Sequence, residues 1–189
     1  FLQIRITDSY LENLNDILHI DSNAETKQFK KGTLLLQKGQ LSTSAFFVKK
    51  GLLRSYIIDS KGKEHIFMFA SEGWIIADIE SQEFDHPSEL YIDCLEDSEV
   101  VTFDRYSLLL SESNSKSAIN NTKLLYRRMG VLQRRVLMLM SSPAKDRYFY
   151  FIETYPDLLN RIPQHMIASY LGITPQALST IRGKIARNN

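Results

Sequence analysis

The segment from Pro163 to Arg187 constrains this chain more than any other. Pro163 suits the start of a helix. Ile167 and Leu171 recur four residues apart, as the buried stripe of that helix should. Ala168 is small where two helices must cross. Gly172 supplies the left-handed residue that ends a helix cheaply. Ile173 plugs the turn, Thr174 caps a second helix and Pro175 takes its first position. Leu178, Ile181 and Ile185 predict the buried stripe of the second helix. This order reads as a helix-turn-helix, whose second helix enters the major groove of DNA. A purely structural helical hairpin is the competing reading, because many helix pairs turn on glycine.

If the pair reads DNA, the face opposite the apolar stripe does the reading. Thr174, Pro175, Gln176, Ser179 and Thr180 are the candidates near its N-terminus. Gln176 can pair bidentately with adenine, and Ser179 or Thr180 can read either base or touch a thymine methyl. Arg182, Lys184 and Arg187 are expected on phosphates. A solvated polar surface is the alternative for each residue taken singly.

Charge supports the DNA reading. The net charge is only +1, but residues 116–189 hold 12 Lys and Arg against 3 Asp and Glu, or +9. Residues 1–115 hold 11 against 19, or −8. An acidic front and a basic back imply two modules with different partners. The lone cysteine, Cys94, excludes a disulfide framework, a four-thiolate cluster and a Cys-rich zinc site. No apolar run reaches the ~18–20 residues that cross a bilayer. A cytoplasmic protein without a membrane partner is expected.

Upstream of the helices the pattern is that of strands. Short β-branched and aromatic runs occupy 33–36, 45–48, 52–58, 65–69, 74–76, 90–94 and 100–103. Gly39, Gly51, Gly62 and Gly73 stand 12, 11 and 11 residues apart between them. Regular turns at that spacing suggest a β-roll, barrel or sandwich, with 59–62 as a hairpin loop. A short amphipathic helix is expected over 8–20. From about residue 105 the period becomes helical. Ala118, Leu125, Leu132 and Leu139 repeat every seven residues, with Thr122, Met129 and Val136 between them. This is a coiled-coil-like seam, centred on Leu125, Met129, Leu132 and Val136. Leu124, Val131 and Met138 form a second stripe beside it. One stripe facing the chain's own domain and one facing a partner chain explains both; a core helix of a monomer is the other reading. A helix starting at Pro143 with Ser142 as its cap should follow and run to Thr154. The fold class is therefore α+β: an N-terminal β-roll over 1–112, a long dimerisation helix over 113–141 and a helix-turn-helix domain over 142–189.

A β-roll, a long seam helix and a C-terminal helix-turn-helix, in that order, resemble the Crp/Fnr family of catabolite-activator-like bacterial transcription regulators. Lys31–Gly39, Phe47–Gly51, the Gly73-Trp-Ile-Ile run and the helix-turn-helix carry the resemblance. It implies a cyclic-nucleotide-binding-like domain, a homodimer on near-palindromic double-stranded DNA, and contact with RNA polymerase. In cyclic-AMP-binding members a Gly-Glu-Leu segment holds the ribose, and the Arg of an Arg-Ser-Ala segment pairs with the cyclic phosphate. Counting on from Gly73, Ala77-Asp78-Ile79 stands at the first segment and Ser88-Glu89-Leu90 at the second. A phosphate without its Arg loses the strongest partner available, which costs about 3–5 kcal/mol. The pocket of Ala77, Asp78, Ile79, Ser88 and Glu89 is therefore expected to be degenerate and unresponsive to cyclic AMP. The alternative is a sensor that binds a cyclic nucleotide or another ligand in an altered mode. Cys94 is expected to be buried and inert. An enzyme is not expected: a metal barrel would need a cluster for which only His65 and Glu64 are candidates. No metal and no cofactor are expected, and the effector is left unknown.

Overall fold

The computed structural model describes residues 26–104 and 115–187. The helix expected over 8–20 lies outside the described residues. Eight strands come first: β1 (Thr26–Phe29), β2 (Leu34–Leu36), β3 (Ser44–Lys50), β4 (Leu53–Ile58), β5 (Glu64–Ala70), β6 (Ile75–Ile76), β7 (Tyr91–Cys94) and β8 (Ser98–Asp104). They form two four-stranded sheets, ordered β1-β8-β3-β6 and β2-β7-β4-β5. Every pairing is antiparallel. The core is built from the inward positions of both sheets: Leu36, Phe46, Val48, Leu53, Ala70, Ile76, Ile92, Cys94 and Val100 are all buried.

The turns follow from local chemistry. Asp59 accepts the amides of Lys61 and Lys63 at 2.9 and 3.0 Å, and Gly62 takes φ +78°, closing the β4–β5 hairpin expected at 59–62. Gly51 is required for space as well as conformation. At φ +101° an added Cβ would fall onto Ser98 and within 2.8 Å of the Asp97 carbonyl oxygen.

Two elements were not foreseen. β1 pairs with β8 from Thr26 opposite Val101 to Phe29 opposite Ser98, yet Thr26, Lys27 and Gln28 are all exposed. An edge strand of this kind shows no apolar alternation. The other is a six-residue helix, α1 (Ile79–Phe84), capped by Asp78.

On the outer face of the second sheet Arg54 is buried but fully engaged. It meets Asp93 at 2.8 and 2.9 Å and Glu64 at 2.5 Å, and lies 4.1 Å over the Tyr56 ring. Burial opposes its charge, but the two carboxylates outweigh that and raise its pKa. Glu64 is thus committed to Arg54, and His65 Nε2 lies 2.8 Å from Asp59.

The helical part comprises α2 (Ser115–Ser141), α3 (Ala144–Thr154), a 3-10 turn (Pro156–Leu158), α4 (Gln164–Tyr170) and α5 (Pro175–Arg187). The chain divides into two compact units between Thr122 and Lys123, inside α2. In the C-terminal unit, Met138, Tyr148, Phe151, Leu158, Ile162, Ile167, Leu171 and Leu178 are buried. Phe151, Tyr155 and Tyr170 pack ring on ring at 5.5–6.4 Å. Ser142 does not cap α3. Pro143 holds the cap position itself, without a side-chain bond, and the Ser142 carbonyl instead accepts from Arg147.

Candidate functional site

The helix pair forms as its residues dictate. Gly172 lies at φ +66° just past α4, with its amide on the Ser169 carbonyl at 3.0 Å. The Thr174 hydroxyl accepts the Ala177 amide at 3.2 Å, satisfying one of the free donors at the start of α5. Ile167, Ala168, Leu171 and Leu178 are buried, while Ile181 and Ile185 are half-buried.

Thr174, Pro175, Gln176, Ser179, Thr180, Arg182 and Lys184 are all exposed. At about 100° per residue, Gln176, Ser179 and Thr180 lie opposite the apolar stripe, and Arg182 and Lys184 fall on its two flanks. The Thr180 hydroxyl is turned back onto the Gln176 carbonyl at 2.9 Å, so its proton is spent within the helix. Its methyl and its free lone pair remain for recognition. Lys184 lines a cavity of about 500 Å³ with Lys145, Ile181, Ile185 and Arg187.

The seam helix is exposed where a partner was expected. Met129 is 63%, Leu132 43% and Val136 54% exposed, while Met138 on the second stripe is buried. The Leu125 side chain lies outside the described ones. Tyr126, Leu137 and Met140 widen the exposed face beyond the heptad positions. Leu139 continues the heptad but is half-buried, close to Gly172 within the chain's own C-terminal unit.

The candidate effector pocket is filled by its own hydrogen bonds. Asp78 is 4% and Ser88 1% exposed. One Asp78 oxygen caps α1 through the Ser81 amide at 3.1 Å, and the other accepts the Ser88 hydroxyl at 2.6 Å. The Ser81 hydroxyl donates to the His86 carbonyl at 2.6 Å and accepts the Ser42 amide at 3.2 Å. Gln82 donates to Ser42 and to the Ser44 carbonyl. Glu89 points outward and pairs with Lys38 at 2.5 Å. Ala77 is half-buried and Ile79 is exposed. These residues do not fit a cyclic phosphate. Ser88 brings no charge, and the buried carboxylate beside it would repel the anion. In the core of the roll, burial pushes the Cys94 thiol up to about 11, so it holds almost no thiolate at neutral pH.

Sequence reasoning missed the arginines that hold the motif together. Arg135 on α2 lies 4.0 Å over the Tyr170 ring and donates to the Tyr170 carbonyl at 3.3 Å. Arg147 on α3 donates to the Leu171 carbonyl at 2.9 Å. Burial pulls Arg135 below its ordinary value and pushes Tyr155 and Tyr170 above theirs. Charge counting alone cannot separate such cations from those aimed at phosphate.

The fold is thus two antiparallel four-stranded sheets with a short capped helix, followed by a helical unit that ends in a helix pair. Residues 26–109 match the family model of the cyclic nucleotide-binding domain. That match spans 84 of the 189 residues and leaves the helical unit outside it. It is similar to the fumarate and nitrate reduction regulatory protein of Yersinia pestis, 24% identical over 94% of this chain and 75% of that one. Among solved structures it resembles FixK2 of Bradyrhizobium japonicum, with a TM-score of 0.72 at 18% identity, covering 87% of this chain and 85% of that one. It also resembles a CooA mutant from Carboxydothermus hydrogenoformans, with a TM-score of 0.72 at 19% identity, covering 98% and 88%.

Proposed function

We propose that this chain is a sequence-specific, double-stranded-DNA-binding transcription regulator that works as a homodimer without cyclic AMP. The observation that carries the reading is the exposed polar face of α5. Gln176, Ser179 and Thr180 stand outward on a helix capped by Thr174, entered past Gly172 and seated through Leu178, Ile181 and Ile185. Arg182 and Lys184 flank that face and supply phosphate contacts, so affinity falls steeply with salt. The relative from Yersinia pestis is named as a regulatory protein, which agrees with this reading.

The exposed Met129, Leu132 and Val136 support pairing of two α2 helices. That places two copies of α5 about one helical turn, roughly 34 Å, apart on the duplex. Independence from cyclic AMP is supported by the Asp78–Ser88 bond, which ties together the two residues that the resemblance sets against the ribose and phosphate contacts of cyclic-AMP-binding members. Contact with RNA polymerase and a cytoplasmic location belong to the same reading. Among the described residues no helix is long and apolar enough to cross a membrane.

The test is selection from a random duplex pool by the purified chain with no nucleotide added. Enrichment of a palindrome whose half-sites are about ten base pairs apart is expected. A pool that stays random after several rounds overturns the proposal.

A further inference from the structure

The last carbonyls of a helix have no partner inside it and must find one elsewhere. At the end of α4, the Gly172 and Ile173 amides return to the Ser169 and Ala168 carbonyls, both at 3.0 Å. The Tyr170 and Leu171 carbonyls point away and are met by two cations from two other helices. Arg147 of α3 spans from the Ser142 carbonyl, through Nε at 2.9 Å, to the Leu171 carbonyl, through Nη1 at 2.9 Å. Arg135 of α2 reaches the Tyr170 carbonyl and lies against the same residue's ring. The negative end of the helix dipole favours both charges. The packing leaves little slack: a Cβ added at Gly172 would sit 3.2 Å from Leu139 Cδ2 and 3.3 Å from Arg147 Nη1.

We propose that Arg135 and Arg147 are positioning residues that set the orientation of the recognition helix by clamping the end of α4 to α2 and α3, and that neither is a phosphate ligand. This deepens the reading of α5 as the DNA-reading helix and rests on it. Only Gly172 and Ile173 separate the clamped Leu171 carbonyl from Thr174, the cap of α5. A binding constellation must be held to within about 0.5 Å and 10–20° to discriminate. Lysine is a poor substitute for Arg147, because the two carbonyls are met by two nitrogens, Nε and Nη1, in the fixed geometry of one guanidinium, and lysine has a single nitrogen on a flexible stem. Arg135 sits on the helix that also carries the exposed Leu132 and Val136, so one helix holds both the seam and the clamp.

The experiment compares Arg147→Lys with Arg182→Gln and the wild type. Each is titrated with the selected palindrome and with a scrambled duplex over a range of salt concentrations. Arg147→Lys is expected to lower the ratio of specific to non-specific affinity at least tenfold while leaving the salt slope unchanged. Arg182→Gln should weaken both duplexes alike and reduce the slope by about one. A slope reduced by one in Arg147→Lys, or a wild-type ratio there, overturns the proposal. Amide hydrogen exchange at Gly172 and Ile173 judges the clamp without DNA. At least tenfold faster exchange in Arg147→Lys is expected, and wild-type exchange overturns the clamp. If the wild type prefers no duplex, the DNA reading fails, and the exchange result still decides the clamp separately.

Discussion

Removing the Asp78–Ser88 hydrogen bond tests whether the β-roll pocket is held shut by its own residues. The bond is 2.6 Å long between two buried groups. A hydrogen bond to a charged acceptor contributes about 1.5–3 kcal/mol, and loss of a helix cap costs about 1 kcal/mol more. Asp78→Ala loses both contributions and should destabilise the roll by about 2.5–4 kcal/mol. Ser88→Ala loses the first and also the Leu90 amide's bond to the Ser88 hydroxyl at 3.0 Å, so it should cost about 2–4 kcal/mol. In Asp78→Ala the Ser88 hydroxyl keeps a second acceptor, the Leu90 carbonyl at 3.1 Å, whereas the buried Ser81 amide loses its acceptor, which is the cap contribution already counted. The two substitutions remove the same bond, so their costs must not add. The double mutant should be less destabilised than the sum by about 1.5–3 kcal/mol. Urea unfolding followed by the fluorescence of Trp74, the chain's one tryptophan and a residue packed on the roll core, reads this unit directly. Costs that add to within about 0.5 kcal/mol would show that the bond carries no coupling energy and refute the argument.

Further outcomes are expected. Leu132→Asp puts two charges into the apolar face of paired α2 helices, and sedimentation should show species of half the wild-type mass; an intact dimer would put the interface elsewhere. Thr180→Ala should relax preference at one base pair, while Arg182→Gln should weaken every sequence alike, both read by binding to single-substitution operators. The His65 contact, with the Lys63 and Lys61 amides, lowers the Asp59 carboxyl from 3.8 to about 2. A carboxylate depressed in the folded state stabilises fully above its unfolded value and loses that contribution as pH falls through its folded value. The stability gap between wild type and Asp59→Asn should therefore shrink as pH falls from about 3.8 to 2 in acid-unfolding curves. A gap that does not vary with pH would mean that Asp59 acts only through its shape.

Much of the fold was legible because glycine, proline and capping residues have few alternatives. Gly62 and Gly172 take the positive φ their turns require, and Thr174 caps α5 as its spacing implies. Residues whose role depends on distant partners were not legible. Asp78 reads equally well as a ligand contact and as a helix cap, and only the Ser81 amide and Ser88 hydroxyl decide between them. Leu139 obeys the heptad but sits close to Gly172, 33 positions on, because a period fixes a face and not its occupant. Arg135 and Arg147 counted toward the basic surface, although their carbonyl partners lie 35 and 24 residues away. β1 escaped notice because an exposed edge strand needs no apolar face.

The most direct test of the account is an equilibrium titration of the selected palindrome and a scrambled duplex at one physiological salt concentration, with and without saturating cyclic AMP. The account predicts that the palindrome binds at least about 10³-fold more tightly and that the nucleotide changes neither affinity. Equal affinity for the two duplexes, or a preference that emerges only with the nucleotide, would contradict it.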